Sequence, residues 1–290
     1  MFDLTLVRLR IEEAAEALQK EAVEGAQAAE DQEAAALSLA KRLIAVLRVV
    51  LEETKAAYPD HGWPVIVAAL LVKSVATVRA AITVGAAGHA REMAVLVRSA
   101  LESLINAAFI AKEDSELRAK RWAEYGVVIK AKVLKKLPEL SAAGTAEQAE
   151  QSERIIAEAK RLERKYPNAS FWASGLSKGS LRDLAVDVGL EWYYDTVYWS
   201  GSQATHGSAV SVESYVGLAA DETPIYNIGL STHHLRGEVA VCCDILVRTL
   251  ELYGEVLKLD VDKFIFELKG EYRTAFGEEP VKPNPHGAAG

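Results

Sequence analysis

Four polar side chains recur at intervals of four residues late in the chain: Tyr194, Tyr198, Ser202 and His206. Steps of four residues keep side chains on one face of an α-helix, with a drift of about 40° at each step. Two phenols, a hydroxyl and an imidazole would therefore line a strip about three turns long, which Gly207 would end. Because histidine exchanges a proton near neutral pH, this strip predicts a ligand site or a catalytic group.

A second polar pair, Arg98 and Glu102, stands four residues apart in a strongly apolar stretch. Burying charge in a core is costly unless both partners are satisfied, so such a pair indicates either a structural tie or a site. A buried arginine could bind phosphate or carboxylate through two parallel hydrogen bonds, with Glu102 fixing its orientation. We expect the helices of Arg98 and His206 to pack side by side, with Arg98, Glu102 and His206 in one hydrogen-bonded cluster.

No complete catalytic motif accompanies these residues. The spacings H-x3-H, H-E-x2-H and C-x2-C, which are typical of metal sites, are absent, so the sequence predicts neither a metal nor a cofactor. Ser202 and His206 lack the sequence context of a nucleophile elbow or an oxyanion hole. Trp172 lies in a segment without helical periodicity, where an aromatic side chain either closes the edge of a core or stacks on a ligand.

Composition and periodicity together indicate the fold. Hydrophobic residues make up 50% of the 290 residues and charged residues 26%, an ordinary balance for a globular protein. We predict an all-α, up-and-down-like multi-helix bundle with irregular loops around 166–180 and 207–230. The predicted helices cover about 9–27, 31–58, 64–86, 89–111, 115–137, 145–165, 181–188, the polar strip and 232–259. We expect an N-terminal helical segment (1–60), a helical core (61–262) and a disordered tail (279–290).

Charge is unevenly distributed along the chain. The net charge of −8 argues against wrapping duplex nucleic acid. Residues 11–35 hold eight acidic residues and one lysine, whereas the segment from Arg118 to Lys136 holds seven basic residues and one glutamate. These segments are either solvated faces that attract each other within or between subunits, or, for 118–136, a ridge that binds RNA or a nucleotide. The apolar face of the N-terminal segment covers the core or supports self-association.

Cysteine usage and hydropathy bear on the location of the protein. Cys242 and Cys243 are adjacent, where a mutual disulfide is strained, so we expect a reducing cytoplasm. The most apolar run, residues 63–72, ends at Lys73 and is shorter than the roughly 20 residues that a membrane span needs. The sequence therefore predicts a buried helix and no membrane partner.

The motifs resemble those of a bacterial domain-of-unknown-function family. Its members typically read R-x3-E on an apolar helix, then W…S-[IL]-R-x-[LM]-A, then Y-x3-Y-x3-S-x3-H-G/P. This chain matches the first motif at Arg98 and the second at Trp172 and residues 180–185, and the polar strip matches the third. The resemblance covers about residues 37–259 and implies no established activity.

More distantly, the arrangement is similar to HEPN-type helical domains of prokaryotic conflict and toxin–antitoxin systems. Many of those domains are metal-independent ribonucleases with an R-x4-6-H motif, but here residues 199–201 are Trp, Ser and Gly where that arginine would stand. The resemblance implies an alternative enzyme in which His206 acts as acid and base, Arg98 stabilises the phosphorane and Glu102 orients Arg98. The favoured hypothesis is a binding or assembly module, connected with prokaryotic defence, whose polar pocket holds a nucleotide or small anion or ties the bundle.

Overall fold

A computed structural model describes residues 31–54, 62–137, 145–165, 171–206, 208–218, 224–226 and 234–277. The predicted helix at 9–27 and the predicted disordered tail at 279–290 lie outside these residues. Over the described ranges the chain is all-α, as predicted, apart from one hairpin of two three-residue strands.

Five long helices form the first half of the fold. They are α1 (Asp31–Thr54), α2 (Trp63–Ala86), α3 (Ala90–Lys112), α4 (Ser115–Lys136) and α5 (Ala146–Lys165). Wherever their ends are described, they begin and end within one residue of the predicted ranges. Hydrophobic periodicity thus located these elements well.

Shorter elements follow before the last two long helices. They are α6 (Leu181–Asp187), α7 (Glu191–Tyr193), a π-helical turn (Tyr194–Tyr198), α8 (Trp199–His206), α9 (Ala209–Val212), β1 (Val216–Leu218), β2 (Pro224–Tyr226), α10 (Leu235–Leu257) and α11 (Asp262–Phe276). Helices α7 and α8 and the π-helical turn run on continuously, and we call residues 191–206 the stripe helix.

In the second half, the structure departs from one prediction and contains one helix that was not predicted. The segment 207–230 is not simply an irregular loop, since it contains α9 and an antiparallel hairpin in which Val216 pairs with Tyr226. Helix α11 was not predicted at all, although it buries Ile265, Leu268 and Tyr272 at helical spacing. This periodic signal was present in the sequence, and α11 uses it to pack against α1 and α10.

The centre of the bundle is the antiparallel pair α2 and α3, and α10 packs against both helices. Small residues bring α2 and α3 close together: the Ser74 hydroxyl donates to the Ala100 carbonyl at 3.1 Å, and a Cβ atom at Gly85 would lie 2.6 Å from Met93 Sδ. Both helices are long and apolar enough to cross a membrane by length and composition alone. Here they pack on each other, with α3 the more buried of the two. Helix α2 has an exposed side that includes Val65 and Val72, so the prediction of a buried helix over residues 63–72 is correct for one side only.

Helix α1 belongs to the same core. The apolar face noted in the sequence, including Leu43, Leu47 and Val50, is buried, and α1 packs on α10, α11 and α2. That face covers the core and is not available as a seam between subunits.

Candidate functional site

The stripe helix lies against α3 and runs antiparallel to it. The two backbones approach most closely at Gly201, where a Cβ atom would lie 2.6 Å from the Ala94 carbonyl oxygen and 2.7 Å from Arg98 Cβ. No side chain larger than hydrogen fits such an approach without displacement. The prediction that the Arg98 and His206 helices pack side by side is therefore confirmed.

Arg98 is half-buried between these helices, and Tyr198 holds its guanidinium. Arg98 Nη2 donates to the Tyr198 hydroxyl at 2.9 Å, and Arg98 Cζ lies 4.5 Å from the Tyr198 ring centroid. Tyr194 stacks on Tyr198 with 4.6 Å between centroids and 14° between ring planes. Burial raises the pKa of Tyr194, so this phenol stays neutral. The two tyrosines thus support and orient the arginine.

No carboxylate oxygen lies within 4.0 Å of the Arg98 guanidinium in the described part of the chain, and Arg98 Nε is buried without an acceptor there. Other arginines differ: Arg118 pairs with Glu113, and Arg182 pairs with carboxylates of the stripe helix. A half-buried cation without a counter-ion is unusual, because buried charges are normally paired. Arg98 is therefore positioned by its neighbours but not neutralised by them.

Glu102 does not orient Arg98, contrary to the prediction. Its side chain is half-buried and accepts no hydrogen bond from any residue that the structure describes, while its backbone carbonyl accepts from Asn106 Nδ2 at 2.7 Å. An arginine four residues before a glutamate is the weaker order for such a helical pair. Tyr198 on the neighbouring helix draws the guanidinium away instead.

His206 does not join the cluster either, so the prediction of one shared hydrogen-bonded group is wrong. The imidazole is exposed and bonds to no side chain in the described ranges. Eight residues separate it from Tyr198, which is about 12 Å along the helix axis and about 80° around it. Ser202, halfway between, is half-buried, and its hydroxyl likewise has no hydrogen bond to a described residue. The roles assigned to both residues stay predictions.

Trp172 is a core residue and is not exposed for stacking on a ligand. It is 7% exposed, and its Nε1 donates to Asn106 Oδ1 at 2.8 Å. Its ring meets Phe109 edge-on, with 5.6 Å between centroids. Of the two roles left open by the sequence, Trp172 therefore has the structural one, which corrects its assignment as a binding residue.

A buried polar group that sequence reasoning missed anchors the start of the stripe helix. Tyr193 donates to Asp244 Oδ2 of α10 at 2.6 Å, and Arg248 lies over the Tyr193 ring with its Cζ 5.2 Å from the centroid. Burial and the Asp244 charge raise the pKa of Tyr193 above its usual range. The sequence signal was Asp244 followed four residues later by Arg248 inside an apolar run, the same kind of spacing as Arg98 and Glu102.

The S-L-R-x-L-A run, residues 180–185, helps to hold the stripe helix in place. Ser180 and Asp183 form a reciprocal capping box at the start of α6. Arg182 donates to both carboxylate oxygens of Asp195 at 2.9 Å and also to Glu191. Its hydrogen bond raises the pKa of Arg182 and lowers that of Asp195. This motif fixes α6 to the stripe helix and contributes no group to Arg98.

The predicted basic ridge from Arg118 to Lys136 is only partly a surface. Arg118 is 5% exposed and lies over the Phe109 ring, with its Cζ 3.8 Å from the centroid. Lys135 pairs with Glu163 of α5 at 3.4 Å. Four lysines of this helix remain exposed and form no ion pair with described residues, namely Lys120, Lys130, Lys132 and Lys136. Across the same ranges no three His, Cys, Asp or Glu side chains are grouped as a metal site would require.

A family model described as DUF5677, a family of unknown function, matches residues 65–223. No curated protein and no solved structure matches the chain. The matched range contains Arg98 and the whole stripe helix, whereas Asp244 and Arg248 of α10 lie beyond it.

Proposed function

The chain belongs to DUF5677, a family of unknown function, and we propose that it is a binding module that takes an anionic group at Arg98. One observation carries the proposal. The Arg98 guanidinium is half-buried and oriented by Tyr198, yet no carboxylate of the described residues lies within ion-pair distance of it.

The chemistry of arginine selects the ligand class. A guanidinium presents up to five donors in a planar fork that matches phosphate or carboxylate. Nη2 is engaged by the Tyr198 hydroxyl, and Nε is shielded from solvent without an acceptor among described residues, so the Nη1 edge of the guanidinium is the part left for an incoming anion. Because the hydroxyl and the ring of Tyr198 together already fix the Arg98 side chain, little rotamer freedom is lost when an anion binds. The proposed ligand is a nucleotide or a smaller phosphate or carboxylate.

The alternative of a metal-independent ribonuclease receives less support. It needs His206 and Arg98 to act on the same phosphate, but His206 stands about 12 Å along the helix from Tyr198, the partner of Arg98. A role in prokaryotic defence is supported by the resemblance to HEPN-type domains and by no other observation on the described residues. A cytoplasmic setting is supported by the two cysteines, Cys242 and Cys243, which are free and buried. Self-association and the binding of RNA or a nucleotide through residues 118–136 stay predictions.

The test is isothermal titration of the full chain with inorganic phosphate and, separately, with adenosine monophosphate. We expect saturable binding that Arg98→Ala weakens at least tenfold, because hydrogen bonds to charged groups contribute about 1.5–3 kcal/mol. Arg48→Ala is the matched control, since Arg48 is an exposed arginine of α1.

Equal affinities for the wild type and Arg98→Ala would contradict the proposal. Cleavage of single-stranded RNA in EDTA, abolished by His206→Ala, would favour the ribonuclease instead.

A further inference from the structure

Helix α3 carries a second arginine that is held in the same way as Arg98. Arg91 lies over the Tyr215 ring, with its Cζ 4.8 Å from the centroid, much as Arg98 lies over the Tyr198 ring at 4.5 Å. Both arginines are half-buried. A tyrosine ring attracts a guanidinium to its face and fixes its plane. Two arginines of one helix are thus each oriented by an aromatic ring from a later part of the chain.

The helical period places these two arginines on one side of α3. They are seven residues apart, which is about 10 Å along the helix axis and about 20° around it. Residue 95 lies between them on that side, and it is a half-buried alanine. No large side chain of α3 therefore separates Arg91 from Arg98.

The stripe helix runs beside this row. A Cβ atom at Gly201 would lie 2.7 Å from Arg98 Cβ, and because the two helices are antiparallel, the residues after Tyr198 extend toward the level of Arg91. Ser202 is one turn after Tyr198 and half-buried, and its hydroxyl has no hydrogen bond to a described residue. A hydroxyl donor is thus placed at a level between the two arginines.

Two glutamates of α3 flank the row without forming an ion pair with either arginine in the described ranges. Glu92 accepts a hydrogen bond from the Tyr215 hydroxyl at 2.8 Å, and its carboxylate lies 3.8 Å from His89 Nδ1. Glu102 stands one turn beyond Arg98 and is half-buried. The two guanidiniums are therefore the groups of this row that would meet a ligand, and they attract anions.

We propose that Arg91 and Arg98 bind two phosphate groups of one ligand at the same time. The inference rests on the proposed function, in which Arg98 takes an anion, and it adds the second contact and the length of the ligand. Each guanidinium presents a planar fork that matches a phosphate, and the Ser202 hydroxyl would donate to the ligand between them. The two phosphates would stand about 10 Å apart. A small bisphosphate and a short single strand of nucleic acid share this chemistry.

The test is isothermal titration of the full chain with the terminal bisphosphates of hexanediol and ethanediol. The phosphates of the hexanediol compound are far enough apart to reach both arginines, whereas those of the ethanediol compound reach only one arginine at a time. We expect hexanediol bisphosphate to bind at least about tenfold more tightly, because its second contact forms within one complex. Equal affinities would overturn the proposal, and this comparison needs only the wild-type chain.

Arg91→Ala should lower the affinity for hexanediol bisphosphate about tenfold, and it should change the affinity for ethanediol bisphosphate no more than about twofold, since one arginine remains. Arg154→Ala is the matched control, because Arg154 is an exposed arginine of α5, and it should change neither affinity. If Arg91→Ala lowers the melting temperature but not the affinity for hexanediol bisphosphate, Arg91 only fastens Tyr215 to α3 and the proposal is wrong.

The same titrations separate this inference from the proposed function. If Arg98→Ala weakens the binding of inorganic phosphate while the two bisphosphates bind equally, the anion site stands and the second contact is wrong. If Arg98→Ala leaves phosphate binding unchanged, both fail. A uridine trinucleotide with a terminal phosphate distinguishes the two sources. Binding tighter than that of hexanediol bisphosphate, and lost in Arg91→Ala, supports a nucleic acid strand, whereas weaker binding supports a small bisphosphate.

Discussion

Gly201 of the stripe helix lies against Ala94 of α3 so closely that a Cβ atom at Gly201 would stand 2.6 Å from the Ala94 carbonyl oxygen. This contact sets the distance between the two helices at the level of Arg98. Gly201 lies about one helical turn after Tyr198, whose hydroxyl accepts the hydrogen bond from Arg98. The geometry around the Arg98 guanidinium therefore depends on glycine, which has no side chain, at position 201.

Gly201→Ala should push the stripe helix away from α3. We expect it to lower both the affinity for the anion and the free energy of unfolding. Overpacking of this kind costs about 1–3 kcal/mol, which thermal unfolding can measure. Gly126→Ala is the control, because a Cβ atom there meets nothing within 4 Å in helix α4; it should stabilise the fold by a few tenths to about 1 kcal/mol. Equal melting temperatures for the wild type and Gly201→Ala would show that the close contact is not required.

Tyr198→Phe should weaken anion binding, whereas His206→Ala should leave it unchanged. The first change removes the acceptor of Arg98 Nη2 while keeping the ring, so the guanidinium loses its fixed orientation. The second alters an exposed side chain without a hydrogen bond to described residues, and such changes usually stay within about 0.5 kcal/mol in stability. Titration with inorganic phosphate measures both. A larger loss with His206→Ala than with Tyr198→Phe would restore histidine to the site.

Tyr193→Phe should destabilise the fold by about 1–3 kcal/mol, because Asp244 would lose a buried hydrogen-bond donor. Urea unfolding gives the free energy. The matched control is Tyr226→Phe, since Tyr226 is a highly exposed tyrosine of β2, and its loss of a hydroxyl should have no measurable effect. If both variants unfold at the same urea concentration, the Tyr193 anchor is not stabilising.

Glu238 should make stability depend on pH. Burial raises its pKa to about 7, above the value of about 4.3 in an unfolded chain. The favourable contribution of the protonated carboxyl is thus fully present below about pH 4.3 and is lost as pH rises through 7. Glu238→Gln should therefore stabilise the protein by about 1–3 kcal/mol at pH 8, allowing for partial exposure, and very little at pH 4.

Thermal unfolding at the two pH values checks this expectation. Glu255→Gln on the exposed side of the same helix is the control and should show no such difference. An equal effect of Glu238→Gln at pH 4 and pH 8 would mean that the pKa of this carboxyl is the same in the folded and the unfolded chain.

Local pattern was sufficient to predict much of this fold. Apolar spacing located α1 to α5, and the four-residue steps from Tyr194 to His206 predicted the stripe helix and its position beside the helix of Arg98. These features follow from the α-helical period, which depends only on neighbouring residues. The weaker periodic signal of α11 was available in the same way, at Ile265, Leu268 and Tyr272.

Which side chains meet at Arg98 was decided by the tertiary structure. Because α3 and the stripe helix are antiparallel and meet at Gly201, Arg98 lies level with Tyr198, and His206 extends past it into solvent. The wider π-helical turn keeps Tyr194 stacked on Tyr198, whereas two further α-helical steps carry His206 about 80° away. Likewise, the partner of Tyr193 lies on α10, more than fifty residues away in sequence. Direction and register between helices are set by packing across the core, and a helical repeat carries no information about either.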